Sequence, residues 1–153
     1  MAKQYDDPRM HTAEHVLNQS MVRLFGCARS FSSHINPGKS KCDYRFSRPL
    51  TGAEASLVQE TVNMVLGRDL PVSEIRMPRF EAEKLVNLGK LPSSVTPETS
   101  IRIVRVGDYD ICACIGEHVA RTGEVGVFRL VSHEFKPTED GASGVLRIRF
   151  TLE

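Results

Sequence analysis

The sequence predicts an α+β fold, with helices packed on one face of a mainly antiparallel sheet. Two segments with helical hydrophobic spacing predict it, together with four short β-rich segments in the last third and turn residues placed to join hairpins. A chain of 153 residues has room for one hydrophobic core, so residues 1–153 read as a single domain.

The first helix is expected over about residues 9–25. Ala13, Leu17, Met21 and Leu24 recur at helical spacing, and Gly26 supplies the stop. Two extended segments follow at about 30–35 and 41–48, joined by the turn residues Asn36, Pro37 and Gly38. In the second, Cys42, Tyr44 and Phe46 alternate with Asp43, Arg45 and Ser47, so one face is dry and one wet. The next helix spans about 52–66. Thr51 and Glu54 have capping-box spacing, and Leu57, Val58, Val62, Val65 and Leu66 form its inward stripe. Gly67 stands where a left-handed cap is wanted. A strand at about 72–77 leads into a short helix opened by Pro78 and carrying Phe80, Ala82, Leu85 and Val86. The Pro/Ser-rich stretch 91–97 reads as a surface loop. Strands are expected at 101–106, 109–113, 127–135 and 145–152. In the last of these, Leu146, Ile148, Phe150 and Leu152 oppose Arg147 and Arg149.

Twenty basic and 19 acidic side chains give a net charge of +1, so no nucleic-acid or membrane partner is written in the total charge. No apolar run has the length of a membrane span and the N-terminus lacks a signal-peptide core, so a cytoplasmic location is expected. The four cysteines, Cys27, Cys42, Cys112 and Cys114, are too few and too unevenly placed for a disulfide framework.

Two patterns carry chemistry. His11 and His15 stand four apart on the first helix and project from one side of it, near enough to share a metal ion. At roughly 100° per residue, that side differs from the one bearing the apolar stripe. Cys114 and His118 flank Gly116 in the second pattern, and thiolate and imidazole both suit zinc. Either half alone is equally an exposed histidine pair or a buried cysteine near an incidental histidine. Together they complete a four-ligand zinc set, held by a helix on one side and a loop after a strand on the other. Competing motifs fail. The residue after His11 is Thr12, not the glutamate of a metalloprotease helix. Ser33 stands where a phosphate loop ending in Gly38-Lys39-Ser40 needs its first glycine. Cys112 and Cys114 are too close together for a C-x-x-C redox pair.

The run His11-Thr12-Ala13-Glu14-His15-Val16-Leu17, with Cys114-Ile115-Gly116-Glu117-His118-Val119 and Thr122-Gly123-Glu124-Val125-Gly126, resembles the zinc-dependent editing domain of alanyl-tRNA synthetases. It is also similar to the second domain of threonyl-tRNA synthetases and to the free-standing alanyl-tRNA editing proteins. The resemblance runs from about residue 9 to 152, and the short free-standing type is the nearest in form. It implies hydrolysis, in trans, of the ester joining a wrong amino acid to tRNA, with seryl-tRNA of the alanine acceptor as substrate and the glycyl species as a second. A synthetase pocket for a small side chain rejects close analogues poorly, so a second hydrolytic site is needed. The resemblance makes His11, His15, Cys114 and His118 the ligands of Zn2+. Glu14, Ile115 and Glu117 depart from its usual residues, and the last two put amino-acid specificity in question. A non-catalytic structural zinc module binding RNA or protein, and threonyl-type editing, are the alternative functions.

Four protein ligands leave zinc no open position, so it acts on the ester, on a water or on the amino group by a route the sequence leaves open. Glu117 is the candidate general base or ammonium-binding group, against a reading as a solvated loop residue. Thr12 is the candidate partner for a serine hydroxyl, against a reading as a packed helix residue. For the acceptor end of tRNA, six basic side chains face a single Asp43 over residues 23–48, and Lys39, Lys41 and Arg45 are the candidate phosphate contacts.

Overall fold

The computed structural model describes residues 7–88 and 96–153. The expected surface loop at 91–97 therefore lies, up to residue 95, outside the described residues. Helix α1 (Pro8–Phe25) begins where Asp7 caps it, accepting the Arg9 N–H at 2.9 Å, and Pro8 fills a first-turn position that has no amide partner to lose. Gly26 ends it in the left-handed region at φ 70°, as the sequence reading expects. Helix α2 (Gly52–Gly67) opens with the expected capping box: Glu54 N–H donates to Thr51 Oγ1 at 3.1 Å and Thr51 N–H to Glu54 Oε1 at 2.9 Å.

The strands are β1 (Ser32–His34), β2 (Ser40–Phe46), β3 (Val72–Pro78), β4 (Ser100–Val106), β5 (Asp110–Ala113), β6 (Phe128–Pro137) and β7 (Gly144–Leu152). All pair antiparallel, but in two sheets rather than the single sheet expected. One has the order β1-β2-β7-β6 and the other β3-β4-β5. The dry face of the larger sheet, with Cys42 and Tyr44 from β2 and Leu146, Ile148 and Phe150 from β7, packs on both helices to make the main core. Ala13, Val16, Leu17 and Met21 reach it from α1, and Val58, Val62, Val65 and Leu66 from α2. A small second core gathers Ala82, Leu88, Ile101 and Ile103 beside the three-stranded sheet. No helix among the described residues is long and apolar enough to cross a membrane.

Three details depart from the sequence reading. Leu57 is 44% exposed, because the spacing 58, 62, 65, 66 already fills the inward arc and residue 57 falls a step outside it. Gly67 is the last helical residue, and the left-handed conformation falls on Asp69 at φ 52°. Asp69 tolerates it because its carboxylate accepts the Gly123 N–H at 3.2 Å and Arg121 Nε–H at 3.0 Å. The helix after Pro78 is a single turn, α3 (Arg79–Ala82), in which only Ala82 is buried while Phe80 and Leu85 are exposed.

The segment Thr122–Glu124 forms a 3-10 turn that locks the end of α2 to the start of β3. Thr122 is fully buried, and its hydroxyl donates to Leu66 O at 3.1 Å while accepting the Leu70 N–H at 2.8 Å.

Helix α1 is covered on two sides, and this positions the site. Its apolar stripe meets the larger sheet. Its other side meets β5, where Ser20 Oγ pairs with Tyr109 Oη at 2.7 Å and Gln19 Nε2 donates to Asp110 at 2.9 Å. The separate histidine side expected from the helical phase is therefore largely an interior surface, and His15 is only 2% exposed.

Candidate metal centre

His11 and His15 point from α1 toward the segment that leaves β5. Cys114 is the first residue after that strand and His118 follows four residues on. One ligand atom from each of His11, His15, Cys114 and His118 can be chosen so that all four lie within 4.8 Å of one another. The Cys114 sulfur is 3.9 Å from His11 Nδ1 and 3.5 Å from His118 Nε2. Sulfur and nitrogen ligands of a tetrahedral zinc ion stand about 3.5 Å apart, given Zn–S and Zn–N bonds of about 2.3 and 2.0–2.1 Å. The donor set fits a metal of that kind.

Neighbours hold each donor. Arg102 Nη1 donates to the carbonyls of Cys114 and Gly116, at 3.0 and 2.6 Å, while its Nε donates to Glu74 at 2.6 Å, pinning the loop to β3 and β4. Gly116 packs against the His11 ring so closely that a Cβ there would lie under 3.0 Å from Cε1, Nδ1 and Nε2. Thr12 is fully buried, its hydroxyl 3.0 Å from His118 Nδ1 and accepting the Val119 N–H at 3.2 Å. If Nε2 of His118 were to ligate a metal, its proton would sit on Nδ1 and be donated to Thr12. Behind His15, Oδ2 of the buried Asp110 lies 3.5 Å from Nδ1, at ion-pair distance but short of a good hydrogen bond. Arg29 holds Asp110 in turn, with contacts of 2.5 and 3.3 Å.

The electrostatics follow from this crowding. Burial alone would raise the Cys114 thiol, but the imidazoles of His11, His118 and His15 outweigh it and hold the group down at about 3, as a thiolate. Burial pulls His15 down, and Asp110, Cys114 and Glu14 together lift it to about 10. His118 is lowered, chiefly by burial. His11 is raised as well, chiefly by its contact with Cys114, so two imidazoles tuned upward beside a thiolate make a cluster in which a dication could replace protons.

A cleft of about 830 Å³ opens from the cluster, lined in part by His11, His15 and Cys114 and by Glu14, Asn18 and Phe31. Glu117 is exposed on the loop beside His118 and is not among the residues that line this cleft. Within the basic segment 23–48, Arg29 is held by Asp110, Arg48 by Glu54, and Arg23 by the Tyr109 carbonyl. Lys39 lies exposed in the turn and Lys41 half-buried on β2. Arg45 is exposed, its guanidinium 4.1 Å over the Phe31 ring.

Residues 101–149 match the family described as the threonyl and alanyl tRNA synthetase second additional domain. The alanine-tRNA ligase of Pyrobaculum calidifontis is 36% identical over 161 residues, covering 97% of this chain. That of Pyrobaculum neutrophilum is 33% identical over 160 residues, again 97% of this chain. The chain is a relative of the alanyl-tRNA synthetases. A third such relative, from Treponema denticola, is 32% identical over 94% of the chain. This synthetase relative spans only 17% of the length of the two Pyrobaculum enzymes and 23% of the Treponema one.

Reading the sequence found the four clustered residues but missed Asp110, Arg102 and Arg29. Asp110 opens a strand and the two arginines sit among many, so no local pattern separates them from surface charges. Only their partners across the fold do.

Proposed function

We propose that this synthetase relative is a zinc-dependent hydrolase that deacylates mischarged tRNA, with seryl-tRNA of the alanine acceptor as its main substrate and glycyl-tRNA as a second. The observation that carries the reading is a His11, His15, Cys114 and His118 cluster opening onto a cleft, in a chain related to alanyl-tRNA synthetases over nearly its whole length. His11, His15, Cys114 and His118 would hold Zn2+, which when bound supplies a positive centre for the ester or for a water.

The chain's own residues prepare that centre. Arg102 fixes the loop that delivers Cys114, Thr12 fixes the ring of His118, and Asp110 faces Nδ1 of His15 so that Nε2 turns to the cluster. Burial of His15 and the surrounding walls limit water to the cleft side, where the ester arrives. Lys39, Lys41 and Arg45 are proposed to receive the phosphates of the acceptor end, since no acidic side chain forms an ion pair with them among the described residues.

The test is deacylation of seryl-tRNA of the alanine acceptor by purified protein, alongside Cys114→Ala and correctly charged seryl-tRNA of the serine acceptor. Metal-dependent release from the mischarged species, lost in Cys114→Ala, is the expected result. Full turnover by a variant that has lost its metal overturns the reading.

A further inference from the structure

We propose that Glu14 is the receptor for the α-ammonium group of the substrate, so that the site hydrolyses esters of amino acids whose amino group is free. This rests on the hydrolase reading above and specifies what that site selects.

The cleft beside the metal cluster has one carboxylate among its described lining residues, Glu14. It stands between His11 and His15 on α1, and its side chain is only 14% exposed. One of its oxygens is fixed: Oε2 accepts Asn18 Nδ2 at 2.8 Å and Ser33 Oγ at 3.1 Å. Those donors are themselves held. Asn18 Oδ1 accepts the buried Ser30 N–H at 2.9 Å, and Ser30 Oγ lies 2.5 Å from Ser33 Oγ. The other oxygen, Oε1, accepts no hydrogen bond among the described residues and lies 3.8 Å from Nε2 of His15. A rigid carboxylate thus keeps one oxygen free at the edge of the donor cluster.

Asn18 and Ser33 are neutral donors that orient the carboxylate, and the imidazole that faces Oε1 at 3.8 Å is His15, which a metal on its Nε2 would leave neutral. The nearby cation Arg29, which also lines the cleft, is engaged by Asp110. His34, also on the lining, is exposed at the rim. A half-enclosed carboxylate with a free oxygen is a site for a cationic donor, because a charge-assisted hydrogen bond is stronger where water is scarce. In an α-amino ester only one carbon separates the amino nitrogen from the carbonyl carbon. A carbonyl presented to the cluster therefore brings its ammonium within reach of the neighbouring Oε1. Peptidyl and N-acylated esters of the same tRNA carry an amide there, with no charge and added bulk, and a site built around a specific polar partner rejects analogues that lack it.

The experiment pairs seryl-tRNA of the alanine acceptor with its N-acetylated form and compares the native protein with Glu14→Gln, which keeps the shape and can still accept from Asn18 and Ser33. A non-hydrolysable 3′-amide analogue of seryl-adenosine, free and N-acetylated, gives an equilibrium reading of the same preference. The native protein is expected to favour the free amine by about 100-fold in kcat/KM and in affinity. Glu14→Gln is expected to bring both ratios to within about threefold, mainly through KM, with its zinc content unchanged. An undiminished preference in Glu14→Gln overturns the proposal. So does loss of zinc from that variant while the preference survives on reloading, which would make Glu14 part of the metal centre. If the native protein cleaves neither ester, the hydrolase reading fails, and the paired amide analogues decide separately whether Glu14 reads the amine.

Discussion

Replacing Thr12 with valine removes one buried hydroxyl and leaves the volume nearly unchanged. In the native protein that hydroxyl serves His118 Nδ1 at 3.0 Å and the Val119 N–H at 3.2 Å, at a position with no solvent exposure. The variant strands both groups away from water, and each stranded donor costs about 1–3 kcal/mol. The part falling on His118 weakens its orientation toward Cys114, and loss of such a partner lowers metal affinity by about 10–100-fold. That range corresponds to about 1.4–2.7 kcal/mol, close to the cost of a single stranded donor. Competition between the protein and a chromogenic chelator of known affinity measures it directly. Zinc affinity within twofold of native, or native affinity with kcat reduced at saturating zinc, would refute this account and give Thr12 a direct role at the substrate.

Gly116→Ala is expected to push the His11 ring out of the cluster, since a methyl group there overlaps three ring atoms. Zinc retention after dialysis should drop at least as far as in Thr12→Val while the far-ultraviolet circular dichroism is kept. Asp43 forms a two-pronged pair with Arg147 at 2.8 and 2.9 Å, and the hydrogen bond from Arg147 is the main cause holding its carboxyl below the usual value. Its ionised form therefore favours the folded state. That contribution is fully present above the unfolded carboxyl value and disappears as pH falls through the lower folded one. Asp43→Asn should cost about 1–2 kcal/mol in urea unfolding at pH 7, and the gap should shrink as pH falls below the usual carboxyl value. Tyr44 is fully buried and its hydroxyl finds no hydrogen-bond partner among the described residues. Tyr44→Phe should accordingly raise the unfolding midpoint or leave it unchanged, with a gain of up to about 1 kcal/mol; a loss of more than that would reveal a partner for the hydroxyl.

The local rules were readable from the chain alone. Cys42 and Tyr44 take the dry face of β2 and Arg45 the wet one as alternation requires, although Asp43 on the expected wet face is buried against Arg147. Thr51 with Glu54 closes the box that starts α2. The spacing of His11 with His15, and of Cys114 with His118, gives two pairs able to chelate, because side-chain direction within one turn or loop follows from backbone geometry. Helical phase also says that the histidines lie apart from the apolar stripe.

Phase does not say what covers that second side. Contact with Tyr109 and Asp110 buries it, turning a pair of helix histidines into half of an interior cluster. The division into two sheets was equally out of reach, since β2 pairs with β7 across about a hundred residues and no local signal encodes that choice. Arg102, Asp110 and Glu14 look like ordinary surface charges in sequence. Their surroundings come from what they meet: two loop carbonyls, the back of His15, and the wall of a cleft. A donor's identity is a property of the residue, but its burial and its partner are properties of distant chain segments, and those set its chemistry.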